Sequence, residues 1–468
     1  RFFVEALLSE QHLQHSKVSE FSQYLAAWRN PRMEPLMEWR RQLLDERLRL
    51  GQEQRGQREG PHQEELVAVG QSLEEAEQAL EQLNLSIDGF WEEIAAICDL
   101  SSELQQLGVK PPPELPDLSR LKQLYGEWAW QLNQPVQLLY GSPLHCSGNF
   151  LVEVLKDLGA EHANELYVIS VIGIQSSAKS TLLNFLFGCG FATSAGRCTR
   201  GLYCSLMESH GRTLLILDTE GLMSLEAAGG DIFDAQLALM AMACSHLVLI
   251  NHKGELSRQL QDLLEVCLFA MQHLKVCRIQ PKLLFVLRDQ HDRSHGVHGD
   301  ALRLMRKHLA EASGHLNLRL DELISLDPGS VFLLPSAFAS DLDQHTGREV
   351  RWATELFSQE ALRLRRKILR ESSSVGQAGG GQGEGGAPEF STLPDWCLHA
   401  MSVWRVLDRY GPNLLHYKTI QEIEVQRELE DLVKQISAQA VQGSGGLAEQ
   451  SRQLLASCTQ RLSEGDSE

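Results

Sequence analysis

The chain has 468 residues, 43% of them hydrophobic, enough apolar material for a globular protein of two or three domains. With 43 basic against 62 acidic residues the formal net charge is −19, which argues against nucleic acid or an anionic membrane as the main partner. Ten cysteines stand at irregular spacings without a CxxC pair, several inside apolar runs (Cys244, Cys267), and read as reduced core residues of a cytoplasmic protein, with the nucleus as the alternative.

The sequence opens on Arg1 with no signal-peptide pattern and is expected to be a fragment that lacks its natural start. Residues 1–110 are predicted as a helical bundle or hairpin, because residues 2–12, 18–28, 33–50 and 64–83 carry apolar side chains at three- and four-residue spacing. The polar stretch 51–61 (GQEQRGQREGP) separates two long helices as a turn or link. The amphipathic stripes are read as packed faces of the bundle, with a surface for protein partners as the alternative. Pro111, Pro112, Pro113 and Pro116 mark a rigid spacer, which opens a linker region over 111–160 containing helices at 118–131 and 150–158.

The next segment, 161–370, carries the chemistry. Residues 167–172 (YVISVI) form a short β-branched run suited to a strand buried on both faces of a parallel sheet. It leads into Gly173-Ile174-Gln175-Ser176-Ser177-Ala178-Lys179-Ser180, which has the length and the Lys-Ser ending of a Walker A loop. In such a loop the backbone N–H groups and the N-terminus of the following helix surround a β-phosphate. Lys179 would reach the β- and γ-phosphates, the Ser180 hydroxyl would ligate Mg²⁺, and Thr181 begins the helix over 181–187. One residue departs from the pattern: Ala178 stands where the motif has glycine, and a Cβ there crowds the phosphate and restricts the backbone.

Downstream, 214–217 is an apolar strand ending in Asp218-Thr219-Glu220-Gly221, so that Asp218 is placed to hold Mg²⁺ through water and the Gly221 N–H to sense a γ-phosphate. Between these strands Thr199 sits in Gly196-Arg197-Cys198-Thr199-Arg200-Gly201, on a connector able to close over metal and phosphate. Phosphate loop, threonine and DTEG follow in the order of a nucleotide switch. Cys198 is read as an inert thiol, with a redox sensor as the alternative. Further on, 282–287 (KLLFVL) is another buried strand ending in Arg288-Asp289, and a carboxylate can accept both the N1–H and the N2 amine of guanine, a donor pair that adenine lacks.

The stretches GIQSSAKSTLLNFLFGCGFATSAGRCTRG and LDTEGL resemble the G domain of the interferon-inducible very large GTPases, relatives of the guanylate-binding proteins and of the atlastin and root-hair-defective-3 fusion GTPases. The likeness begins at residues 135–141 (PVQLLYG) and extends weakly to 404–430. It implies an α/β fold, a doubly wound and mostly parallel P-loop GTPase sheet flanked by α-helical segments. It also implies Mg²⁺-dependent GTP hydrolysis and self-association through the G domain. By motif, Gly173, Ser176, Ser177, Ala178, Lys179, Ser180 and Thr181 would hold phosphate, and Ser180, Thr199 and Asp218 the metal. Lys179 and Thr199 would act in catalysis, Gly221 would sense the γ-phosphate, and Arg288 and Asp289 would read the base. The loop arginine of guanylate-binding proteins has no match near Ser176, and Arg197 and Arg200 are the nearest candidates. The alternative is a scaffold that keeps the fold with nucleotide binding weakened by Ala178.

The remaining segments are weighed more briefly. Residues 222–234, with Gly229 and Gly230, suit a moving loop, and 236–244, 246–251 and 256–274 read as helix, strand and helix. The longest apolar stretch, 237–250, is too short to span a bilayer, so no transmembrane segment is expected. His291, His295 and His298 beside Asp289 and Asp292 are read as a polar loop, with a metal site as the alternative. Residues 302–318 are predicted helical, 331–334 a strand, 335–343 a loop, and 352–370 a basic helix with a solvated face. A Gly-rich loop (371–390), a helical segment (391–442) and a polar tail (443–468) complete the chain.

Overall fold

A computed structural model describes residues 15–53, 63–82, 87–110, 117–139, 146, 148–162, 164, 165–174, 177–193, 201–219, 221, 230–253, 258–274, 279–289, 299, 303, 306, 307, 323–326, 329–342, 349–374 and 390–414. The chain divides into two compact units: Arg1–Leu132 with Ser147–Val154, and Asn133–Cys146 with Leu155–Glu468.

The first unit is helical. Helix α1 (His15–Glu53) is continuous through Pro31 and Pro35, where the sequence reading ended one helix at residue 28 and began another at 33. Each proline removes one intrahelical N–H, and beyond them Leu43 and Leu50 of α1 pack on Val69, Leu73 and Ala76 of α2 (Gln63–Gln82). In α3 (Ile87–Gln106) the buried side chains Trp91, Ile94, Ala95 and Cys98 recur at helical spacing. Helix α4 (Leu118–Trp130) starts at Asp117, whose carboxylate caps the Arg120 N–H at 3.1 Å. Trp91 lies 4.6 Å from Tyr125 and 6.2 Å from Trp128, ring centre to ring centre, and Tyr125 lies 5.2 Å from Phe150 at the start of α5 (Gly148–Glu161). These rings form the helical unit's aromatic centre.

The second unit is built on a seven-stranded sheet of order β1-β3-β4-β2-β5-β6-β7. The strands are β1 (Val136–Leu139), β2 (Glu165–Ile172), β3 (Leu202–Ser209), β4 (Arg212–Thr219), β5 (Leu247–Lys253), β6 (Lys282–Arg288) and β7 (Val331–Leu333). Strands β4, β2, β5, β6 and β7 pair in parallel, while β3 runs antiparallel to both β1 and β4. On one face, Leu182, Leu183, Leu186 and Phe187 of α6 (Lys179–Phe187) and Ala361, Leu364 and Ile368 of α9 (Glu355–Ser374) cover Tyr167, Ile169, Val171, Leu249 and Val286. On the other, Ser170 Oγ donates to the Ala241 carbonyl of α7 (Gly230–Ala243) at 3.3 Å, and α8 (Arg258–Leu274) packs beside α7. Helices on both faces of a mostly parallel sheet make a doubly wound α/β fold, as expected.

Helix α10 (Leu393–Leu414) is fastened to the amino-terminal edge of this sheet. The Leu166 N–H donates to the Ser391 carbonyl at 2.8 Å, Trp396 Nε1 donates to the Cys244 carbonyl at 2.8 Å, and His399 Nε2 lies 2.8 Å from the Ala243 carbonyl, which can only accept. The Phe390 ring lies between His246, at 4.8 Å, and His399, at 5.2 Å.

Three sequence expectations are corrected. Residues 202–209, taken as part of a connector, form β3, where Leu202, Cys204 and Leu206 alternate inward at the strand period. Residues 335–343, taken as a loop, contain β8 (Phe338–Leu342), which pairs antiparallel with β9 (Glu349–Ala353). Trp352, placed at the start of a helix, therefore lies in a strand, and the helix begins at Glu355. The link at 54–62, the prolines at 111–116, the Gly-rich stretch 375–389 and everything from 415 onward lie outside the described residues.

Candidate functional site

The carboxyl ends of β2, β4, β5 and β6 bring the sequence-predicted residues to one edge of the sheet. Parallel pairing sets Val171 of β2 opposite Asp218 of β4, and Ile172 opposite Ile250 of β5. Gly173 leaves β2 where space is shortest: a Cβ built there would lie 2.3 Å from the Asn251 carbonyl oxygen and 3.0 Å from Ser177 Oγ. Only glycine fits this approach.

Ala178, the residue at the helix entry, has φ 53 and ψ 44, the left-handed conformation, and its side chain makes no cap. The chain therefore keeps the backbone shape of a phosphate loop at the position where it departs from the motif's glycine. For an L residue this shape costs roughly 1–2 kcal/mol. Beyond it, Lys179 is buried, with its ammonium donating to the carbonyls of Gly173 at 3.1 Å and Ile174 at 3.3 Å. The lysine spans the loop it belongs to. Ser177 is buried and its N–H donates to the Ile174 carbonyl at 3.2 Å, while Thr181 is exposed.

Ser180 Oγ donates to Asp218 Oδ2 at 2.6 Å, joining a helix start and a strand end that are 38 residues apart. A hydroxyl and a carboxylate are hard oxygen donors, and their meeting beside the phosphate loop suits Mg²⁺ chemically. Asp218 itself is fully buried, and its neighbour Thr219 is fixed by donating to the Val171 carbonyl at 2.8 Å. Gly221 is half-buried two residues beyond the strand.

At β6, Arg288 is the last strand residue and lies opposite Lys253 of β5. Burial lowers the pKa of its guanidinium, and the neighbouring Asp289 carboxylate works the other way. Asp289 also adopts a positive φ of 57, and its Oδ2 lies 3.7 Å from Lys253 Nζ. Of the predicted residues, Ser176 and Thr199 lie outside the described residues, as do 222–229 and the histidines at 291, 295 and 298. Among the described residues no group of His, Cys, Asp or Glu has the arrangement of a metal site, and no helix is long and apolar enough to cross a membrane. The described cysteines are free thiols, and burial pushes Cys189 and Cys267 up to about 12.

Two contributors were not singled out in the sequence. Asn184 in α6 donates to the Phe191 carbonyl at 2.8 Å and accepts the Phe191 N–H at 3.0 Å, which anchors the chain that leads toward Thr199. Asn251, at the end of the apolar run of β5, donates from Nδ2 to the Ser177 carbonyl at 2.6 Å. The signal available was a polar side chain directly after the apolar run 247–250 of β5.

The chain is similar in sequence to several known proteins. The chain is 35% identical over 162 residues to interferon-induced very large GTPase 1 of Mus musculus, a match that covers 32% of this chain and 7% of that protein. It is 29% identical over 224 residues to the up-regulator of cell proliferation of Homo sapiens (45% of this chain, 23% of that protein). It is 39% identical over 110 residues to protein SEY1 homolog 1 of Paramecium tetraurelia (22% and 14%). The chain thus spans less than a quarter of the length of these relatives. Among solved structures, a dimerization-deficient mutant of Toc33 from Arabidopsis thaliana aligns with a TM-score of 0.29 at 14% identity, covering 47% of this chain and 91% of that one. Residues 6–317 match the URGCP-like GTPase domain, and the chain belongs to that family of P-loop GTPase domains.

Proposed function

We propose that this chain binds GTP at the carboxyl end of β2, hydrolyses it with Mg²⁺, and uses the nucleotide state to rearrange its helices or to associate with a second copy. The observation that carries the reading is the 2.6 Å hydrogen bond between Ser180 and Asp218 beside the buried ammonium of Lys179. Gly173, Ser176, Ser177, Ala178, Lys179, Ser180 and Thr181 would hold the phosphates through backbone N–H groups and the Lys179 ammonium. Bound through Ser180, Thr199 and Asp218, Mg²⁺ would offset charge on the β- and γ-phosphate oxygens. The Gly221 N–H would meet the γ-phosphate, and the Asp289 carboxylate, beside Arg288, would accept from guanine.

Helix α7 gives the coupling a physical route. It starts at Gly230, separated by eight residues of sequence from Gly221, and its carboxyl end offers the Ala243 carbonyl to His399 of α10. A shift of α7 would strain the bonds that fasten α10. The test is Mg²⁺-dependent GTP turnover by the chain and by Lys179→Ala, with GTP and ATP analogues titrated into both. GTP-selective binding by the native chain, and turnover reduced by about a hundredfold or more in the variant, are expected. Equal turnover in the two proteins would sink the assignment.

The strained, uncapped Ala178 favours a second reading, a GTPase-like scaffold with weakened nucleotide affinity. Binding that appears only in Ala178→Gly would select it, and tight native binding would exclude it.

A further inference from the structure

The phosphate loop departs from its motif at Ala178 and yet holds the left-handed shape, so something outside the loop must over-determine that shape. The contacts converge on one residue of the neighbouring strand. Asn251 is fully buried, and its Nδ2 donates to the Ser177 carbonyl at 2.6 Å and to Ser177 Oγ at 3.3 Å. Its own carbonyl oxygen stands where a Cβ on Gly173 would come within 2.3 Å. One residue of β5 therefore touches both the entry and the exit of the loop.

The consequence follows from the planarity of the peptide bond. In a trans peptide the C=O and the next N–H point in opposite directions. When Asn251 draws the Ser177 carbonyl toward its side chain, the Ala178 N–H is turned the other way. The Ser177 N–H is already engaged by the Ile174 carbonyl at 3.2 Å, so neither side of Ser177 is free to rotate.

We propose that Asn251 is a positioning residue for the phosphate loop, one that fixes the Ser177 carbonyl, aims the Ala178 N–H at bound phosphate and holds Ala178 in the conformation that a glycine adopts freely. This rests on the reading of residues 173–180 as a GTP-binding loop. The side-chain amide on β5 takes over part of the task that the missing glycine performs. Asn251 need not touch nucleotide to do so. Aspartate at 251 has the same size but no donor, so it would set a carboxylate oxygen against the Ser177 carbonyl.

The test uses the full chain with Asn251→Asp, Asn251→Ala, Ala178→Gly and the Asn251→Ala/Ala178→Gly pair. Amide hydrogen exchange of the loop is read without nucleotide, and affinity is read with a fluorescent GTP analogue and Mg²⁺. In Asn251→Asp and Asn251→Ala the loop amides exchange roughly tenfold faster while those of β2 and β4 are unchanged, and GTP binds roughly tenfold more weakly. Glycine at 178 recovers most of the affinity lost in Asn251→Ala, because the backbone no longer needs to be forced. Unchanged loop exchange in Asn251→Asp overturns the proposal. So does a loss in Asn251→Ala of the same size with either residue at 178, which marks general support of the fold. If the native chain binds no GTP, the binding reading fails, and loop exchange still decides whether Asn251 is the brace. Asn251→Ser, which keeps a smaller donor, replaces any variant that does not fold and is expected to fall between native and alanine.

Discussion

The helical unit buries carboxyls at the start of α3, and the sheet unit buries an imidazole, that of His246, at the amino-terminal edge of its strands. At the start of α3, burial pushes the Asp88 carboxyl up to about 6, and burial with the charges of Asp88 and Glu93 pushes Glu92 up to about 7. In the sheet unit, burial pushes the His246 imidazole down to about 4, while a hydrogen bond to the Phe390 backbone works the other way. In both cases the folded chain resists charge. Because acids and bases gain charge in opposite directions, the two units respond oppositely to pH. The difference is one of architecture. Asp88 and Glu92 lie in the first turns of a helix, whereas the sheet's edge encloses a histidine between Tyr167, stacked at 5.1 Å, and Phe390.

The largest effect expected is local to the sheet unit. In Gly173→Ala the new methyl meets the Asn251 carbonyl oxygen, a backbone atom that cannot move without shifting β5. We expect a loss of about 3 kcal/mol in the sheet unit, from forced overpacking, together with loss of nucleotide binding. The helical unit, reported by Trp91 and Trp128, should melt as before. Equal destabilisation of both units in urea titrations would break the separation drawn between them.

The pH dependence comes next. The unfolded His246 takes up a proton near its ordinary value of 6.5, and the folded one only near 4. Stability from this site is complete above about 6.5 and is lost as pH falls toward 4, by about 3 kcal/mol. Asp88 and Glu92 act with the opposite sign: their contribution is present below about 4 and is lost as pH rises through 6 and 7. Lowering pH from 7 to 4.5 should therefore weaken the sheet unit, read at Trp396 and Trp404, and strengthen the α3 region, read at Trp91. His246→Gln, which can still accept the Val168 N–H that Nδ1 now accepts at 2.9 Å, should flatten the sheet unit's response alone. Parallel pH curves for both sets of tryptophans would contradict the assignment.

What the sequence disclosed follows the same division. Strands β2, β4, β5 and β6 were legible because burial on both faces demands unbroken apolar runs, and the phosphate loop was legible because its spacing is a chemical requirement. Strand β3 was missed because Gly201, Ser205, Glu208 and Ser209 interrupt the unbroken apolar run that marked the other strands, and GLYCSLMES resembles a connector when the partner strand is unknown. The β8–β9 hairpin was missed for a related reason. EVRWA joins directly through Thr354 to an amphipathic helix, and the boundary is set by Thr354 bonds to Ser336 and Ala337, which are 18 and 17 residues away. At the site, Lys179, Ser180 and Asp218 carry type-specific chemistry and could be named in advance. Asn251 acts through a backbone carbonyl on another element, and such a partner is visible only when register is known.

The smallest predicted effect distinguishes the two units most directly, because one substitution has opposite signs in them. In Ala178→Gly the left-handed residue is relieved of about 1–2 kcal/mol of steric cost, offset by the greater freedom of glycine in the unfolded chain, about 0.4–1 kcal/mol. A net gain of roughly 0.5–1 kcal/mol in the sheet unit should follow. In Ala95→Gly the same methyl is removed from the buried face of α3, where the backbone is right-handed and helical. There glycine loses about 1 kcal/mol of helix propensity and also the burial of a methyl. Urea denaturation of the two variants, read at the tryptophans of each unit, should show the first stabilised and the second destabilised by about 1 kcal/mol or more. Destabilisation by both would mean that Ala178 is supported by contacts its methyl makes, and that alanine in this loop is a fitted residue and no longer a strained substitute for glycine.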